Sequence, residues 1–242
     1  MRRLRQRLRA LQRDERGMTL VELLVATAAG VIVVGGISVA MIVTVRGVER
    51  VSSHVEANRA ARLTLAKIVD QLHSACLAYG SAPIREDSTG SMLSFTHQSG
   101  SAAALTPVLS RISLSGTTLM QADYEKTSTS GSSPTEWQFK STPYRETTLQ
   151  TGISQASAAI PVFRYYGYSE GTGAISSAPF SFTTKLGSAQ AAKTVQVSVA
   201  FKAAPKNTVG GDANAPTPVQ SSAYLRMGPP SFATTSSNQP CQ

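Results

Sequence analysis

Glu22 poses the sharpest chemical problem in this chain. It stands just inside the start of an apolar run, and from Leu23 to Val45 no residue carries a charge. That run exceeds the roughly 20 apolar residues that cross a bilayer, where an unpaired carboxylate is costly. A chain that keeps such an acid implies a cation waiting to meet it. Ahead of it lies a basic polar leader, residues 1–17, with seven Arg against Asp14 and Glu15. The junction reads Arg16-Gly17-Met18-Thr19-Leu20-Val21-Glu22.

Other reactive residue types are scattered. The three histidines are His54, His73 and His97, the first two 19 residues apart on one helical stretch and too distant to share a metal. No Cys–His spacing matches a zinc site, and no phosphate loop, nucleophile elbow or EF-hand pattern appears. The sequence therefore offers no catalytic residues, no metal ligands and no cofactor site. Asp123 and Glu125 flank Tyr124 near a turn and read as a solvated edge, with contact to a cation as the alternative. Arg164-Tyr165-Tyr166 reads as strand packing, with a ligand surface as the alternative.

The junction resembles the type IV prepilin family, which includes the pseudopilins of type II secretion and the pilins of DNA-uptake (competence) systems. Gly17, Met18, Thr19, Leu20, Glu22 and the apolar stretch carry the resemblance. It implies cleavage after Gly17 by a membrane-embedded prepilin peptidase and N-methylation of the new terminus, Met18. It also implies that Glu22 pairs with the N-terminal amine of a neighbouring subunit when the helices stack into a filament. In that dry setting an ion pair is weakly screened, and pairing selects register as much as it adds stability. A secretory signal would be cut after the apolar region, behind small residues. An ordinary membrane anchor explains the arginines through the positive-inside preference but gives no reason for Gly17 or Glu22.

Removing the leader changes the charge reading. The formal net charge is +9, of which the leader through Gly17 contributes +5, leaving +4 on the remainder. Its charges are scattered, with no interleaving of aromatic and basic residues, so nucleic acid as a partner has no support. Ser, Thr, Ala and Gly dominate the region after the helix, a composition that suits an exported, loop-rich β domain. The two cysteines, Cys76 and Cys241, permit one disulfide in an oxidising compartment. Closing so long a loop is worth about 4–5 kcal/mol in the chain-entropy model. Two unpaired thiols are the alternative.

The elements follow from periodicity and punctuation. No proline precedes Pro83, and the helical pattern runs almost that far. A transmembrane or filament-core segment (18–45) passes into an amphipathic one (46–80). There Val48, Val51, Val55, Leu65, Val69, Leu72, Cys76 and Tyr79 form one stripe at three- and four-residue spacing. Gly30, Gly35 and Gly36 weaken the helix yet let neighbouring helices approach closely. A β-rich head (81–228) and a flexible C-terminal tail (229–242) follow. Strands are expected at 92–97, 108–114, 118–124, 136–140, 147–149, 162–168, 180–184, 194–201 and 222–227. Ser115-Gly116 reads as a hairpin turn, and 127–134 and 206–218 read as exposed loops. The fold class is α+β, a long N-terminal helix packed on a small antiparallel sheet.

The order of strand patterns in the head is loosely similar to the minor-pilin branch that includes the W-type minor pilins and the J-type pseudopilins. That resemblance implies a non-enzymatic structural subunit placed in assembly initiation or at the filament tip. It implies as partners the prepilin peptidase, other major and minor pilins, an inner-membrane assembly platform and membrane lipid. It places the N-terminus in the cytoplasm, one pass in the inner membrane, and the head outside. A tip adhesin, or a subunit that binds DNA or another substrate through its loops, is the alternative.

Overall fold

The apolar run and the segment behind it form one helix, α1, spanning Leu20–His73 in a computed structural model of the chain. The structure describes residues 19–76, 82–101, 104–127, 137–169, 173–205 and 216–225. Gly17, Met18, Tyr79, Cys241, the leader and the C-terminal tail lie outside those residues, as does most of the expected loops at 127–134 and 206–218. The chain divides into two compact units, Met1–Val51 and Ser52–Gln242. In the first, every described side chain is exposed, including the apolar ones. In the second, α1 ends at His73 and the chain turns directly into a β-bridge between Ala75 and His97.

The expected apolar stripe on α1 is in fact two faces. Ala57, Ala61, Leu65, Ile68 and Leu72 are buried, whereas Val48, Val51 and Val55 are 62–64 % exposed. The sheets select the face that carries small Ala57 and Ala61, because a backbone can come closest where side chains are short. Reading only the large apolar residues merges the two faces.

Two antiparallel sheets complete the head, rather than one. The first has the order β1–β2–β3–β4, with β1 Met92–Ser101, β2 Ala104–Ser115, β3 Thr118–Glu125 and β4 Arg145–Thr151. The β2–β3 hairpin pairs Ser115 with Thr118 across Gly116-Thr117, and Gly116 sits at φ +59°, the left-handed region that favours glycine. The outer edge of β1 is covered by its own chain: Thr96 N–H donates to Pro83 O, Arg85 N–H to Ser94 O and Cys76 N–H to Thr96 O.

The second sheet is built on β7 (Gln196–Ala203), along which β8 (Thr217–Tyr224) runs in full register. The short strands β5 (Ile153–Gln155) and β6 (Phe163–Tyr166) share the other edge, pairing with residues 201–203 and 196–199 of β7. The helix α2 (Ser188–Lys193) precedes β7. Pro218 falls inside β8 rather than in a loop, which its place on an outer strand tolerates. Segment 180–184 is not a strand: Phe180 N–H donates to Tyr165 O, and no ladder continues from it. The expected strand at 136–140 is reduced to one bridge, Lys126 to Phe139.

One core unites the layers. Ala61, Leu65, Ile68 and Leu72 of α1 cluster with Leu93, Phe95, Ile112 and Leu119 of the first sheet and Phe163, Tyr165, Val197, Val199 and Phe201 of the second. Each large side chain so buried contributes roughly 1.5–3 kcal/mol. Tyr165 is fully buried, yet its hydroxyl donates to the carbonyls of Thr89 and Met92 at 2.9 and 3.0 Å. Burial pushes its pKa far up, so it stays a donor and ties the loop before β1 to the second sheet. Cys76 is buried in a smaller cluster with Trp137, against Phe139.

Candidate functional site: the start of α1

The first turn of α1 begins on a capping residue that apolar periodicity alone does not reveal. Thr19 Oγ1 accepts from Glu22 N–H at 3.3 Å, and Thr19 O accepts from Leu23 N–H at 3.1 Å. This is the N-cap arrangement, in which a hydroxyl occupies one of the donors that a helix start leaves open. A signal for it does exist: Thr19 with Glu22 three residues on, before an apolar run, is a capping-box pattern. Of that box only the Thr19 half is formed. The Glu22 carboxylate has no hydrogen-bond or ion-pair partner among the described residues. It occupies the first turn, where the helix dipole favours a negative charge.

The other polar residues of the apolar stretch behave differently. Thr27 donates to Leu24 O at 3.0 Å, Ser38 to Val34 O at 2.8 Å and Thr44 to Ala40 O at 2.8 Å. Each hydroxyl is satisfied within its own helix and needs no neighbour. Glu22 stands apart: it is the acid whose need remains. The side chains around it are exposed, Leu20 by 79 % and Val21 by 69 %. The helix is long and apolar enough to cross a membrane.

A second polar constellation lies in the head, and it corrects the expectation of a solvated edge at Asp123. That side chain is 2 % exposed. Ser110 Oγ and Gln121 Nε2 donate to its Oδ1 at 2.6 and 2.8 Å, and Arg145 donates to its Oδ2 through Nε and Nη2 at 2.9 and 2.7 Å. Burial alone would raise this carboxyl, but the hydrogen bonds from Ser110, Gln121 and Arg145 and the Arg145 charge outweigh it and hold the pKa below its ordinary value. Neighbouring Glu125 does sit in solvent, paired with Lys140 at 2.6 Å.

His97 extends the row to β1. It is 7 % exposed, with Nε2 at 2.9 Å from Ser110 Oγ and Nδ1 at 3.1 Å from Gln98 O. The Ser110 proton goes to Asp123, so His97 donates to Ser110 Oγ through Nε2–H, which the neutral ring supplies in that tautomer. Burial opposes the charged ring and holds the His97 pKa below its ordinary value. Ser, His and Asp thus meet, but the hydroxyl sits between the other two and is itself fully buried. No attacking group faces a substrate. The row joins β1, β2, β3 and β4, and its role is structural.

Of the remaining candidates, His54 and His73 lie on α1 and Arg164 is half-buried in β6. No cluster of three or more metal-ligating side chains occurs among the described residues.

No curated protein matches the chain. No family model spans the chain, but residues 12–43 match the one described as the prokaryotic N-terminal methylation motif, and the long apolar helix and antiparallel head behind it are consistent with the pilin-like family.

Proposed function

We infer that the protein is a minor structural subunit of a type IV filament system, acting in assembly initiation or at the tip. The observation that carries this reading is Glu22: an acid with no described partner, in the capped first turn of an exposed apolar helix, five residues beyond Gly17. Prepilin peptidase cuts between Gly17 and Met18 and methylates Met18. The helix is held in the inner membrane with the head exported until neighbouring pilins take it up. Glu22 then meets the amine of an adjacent subunit. The absence of proline before Pro83 supports a minor rather than a major subunit. The prepilin-type motif points to a structural family and not to an enzyme.

Edman sequencing of the membrane-associated protein tests the reading. The expected first cycle is N-methylated Met18. Recovery of the chain with residues 1–17 still attached would overturn it.

The exported location carries a second expectation, that Cys76 and Cys241 are bridged. Cys76 is buried beside Trp137, close behind the end of α1, and is not a free cysteine. A bridge would fasten the tail to the point where helix and β1 meet. Peptide mapping without reductant is expected to yield one linked pair of peptides containing the two residues, and finding both as separate alkylated peptides would refute it.

A further inference from the structure

The outward face of the second sheet is fixed by register. Tyr165, Val197, Val199, Phe201 and Ala223 lie in the core, so alternation turns their strand neighbours away from it. Tyr166 pairs with Gln196 and Gln196 with Tyr224, which sets the two tyrosines at either end of one row across β6, β7 and β8. The next row is Arg164, Ser198 and Ser222. Arg164 Nη2 and Gln220 Nε2 both donate to Ser198 Oγ at 3.4 Å, as side chains sharing one face must. Lys202 stands on the same face towards the far end of β7.

This face carries no acid, because none of β5 to β8 contains Asp or Glu. Residues 18–151 hold ten Lys and Arg against ten Asp and Glu, whereas residues 152–242 hold six against two. The whole excess of +4 behind Gly17 therefore falls in the portion of the chain from which the second sheet is drawn. Lys202 is partly exposed, and its amine has no ion pair or hydrogen bond among the described residues. A surface with spare positive charge and no carboxylate complements a polyanion.

The tyrosines narrow the choice of polyanion. Tyr224 is 58 % exposed and Tyr166 partly so, and neither hydroxyl makes a hydrogen bond among the described residues. Two strand spacings set their backbones about 10 Å apart. Flat rings on the same face as a free cation suit a partner that joins π-faces to phosphates, since any base stacks on a tyrosine. Tyr166, Lys202 and Tyr224 stand far apart in the sequence, so only the sheet brings the aromatic and basic groups together.

We propose that the outward face of the second sheet binds single-stranded nucleic acid, with bases stacked on Tyr224 and Tyr166 and a phosphate drawn to Lys202. In a duplex the bases are already stacked on one another and leave no face for a ring. Arg164 adds charge beneath the strand, and no free donor is asked of it. The assignment rests on the head alone and not on how the N-terminus is processed.

Fluorescence titration of the full chain, extracted from membranes in detergent, tests it. The probes are a short oligothymidylate, an abasic strand of equal length and charge, the corresponding duplex and dextran sulfate. Oligothymidylate is expected to bind at least about fivefold more tightly than the abasic strand, the lower end of what one stacked base contributes. Equal charge on the two strands cancels whatever the basic leader adds. Tyr224→Ala is expected to erase most of that difference, and Tyr224→Phe, which keeps the ring, to retain it. Lys202→Gln is expected to reduce the slope of log affinity against log salt by about 0.7, one phosphate contact on a single strand. Should Tyr224→Ala melt early, the slope of Lys202→Gln decides. Equal binding of the two strands, a preference for the duplex, dextran sulfate bound as tightly as oligothymidylate, or no binding of any probe overturns the proposal. So does an unchanged base preference in a folded Tyr224→Ala or an unchanged salt slope in Lys202→Gln.

Discussion

Glu22→Ala is expected to leave membrane insertion and helix formation unchanged while reducing incorporation into filaments by about tenfold or more, the loss set by one buried ion pair. Three observations separate these effects. The helix start is capped by Thr19 Oγ1 and not by the Glu22 side chain, so truncating that side chain leaves the cap in place. A carboxylate deep in a bilayer costs about 2.5–3.5 kcal/mol and less near its boundary, so removing it does not hinder insertion. The carboxylate has no described partner within its own chain, so its loss strands no other group in the monomer. On the proposed pairing, the defect is expected only at assembly, where a neighbour's amine would be left buried and unpaired. Glu22→Gln keeps shape and loses charge, and it is expected to resemble the alanine variant. Blotting sheared filaments against the membrane fraction reads both variants. Full incorporation of either would contradict an ion-pair role.

Asp123→Ala is expected to destabilise the head by about 2–4 kcal/mol, because it deprives several donors of one buried acceptor. Ser110 is fully buried and Gln121 1 % exposed, so neither turns to water, whereas Arg145 has a side chain 57 % exposed and resolvates cheaply. The damage therefore falls on the inner end of the row. The same row makes stability depend on pH. His97 has a folded pKa held below its ordinary 6.5. The unfolded chain therefore takes up this proton first, and the contribution is full above that value and lost as pH falls through the folded pKa. Asp123 has a folded pKa below its ordinary 3.8, so its contribution is full above that value and disappears in stronger acid. Thermal melts between pH 3 and 8 are expected to fall on acidification in two stages, and Asp123→Ala to remove the lower one. A wild-type melting temperature unchanged from pH 8 to pH 3 would refute the assignment.

Much of the helix is legible in the sequence because its signals are local. The uncharged run is continuous in sequence and needs no distant partner to be seen, and the alternation at Val195-Gln196-Val197-Ser198-Val199 marks β7 without any other strand. The features that escape depend on partners distant in sequence. Asp123 resembles a solvated acid until β3 pairs with β4 and places Arg145 opposite it, 22 residues on. Glu125, two residues further, meets only exposed Lys140 and is the solvated acid it resembles, so residue type does not separate the two cases. The buried face of α1 is hard to recognise because two of its members are alanines, which contribute closeness and little apolar bulk. β5 is three residues long and carries no period of its own; β7 defines it. The N-terminal candidates Gly17 and Met18 precede the first described residue and stand on the motif alone.

The cap at Thr19 bears on timing. The opening turn of α1 is closed in part by a hydroxyl and a carbonyl of residue 19 itself, and these bonds lie downstream of Gly17 and Met18. A cut between Gly17 and Met18 would then liberate an amine without refolding the rod behind it. Uncut precursor stored in the bilayer would already have its mature shape, and scission would act as a licence to polymerise rather than as a step in maturing the fold.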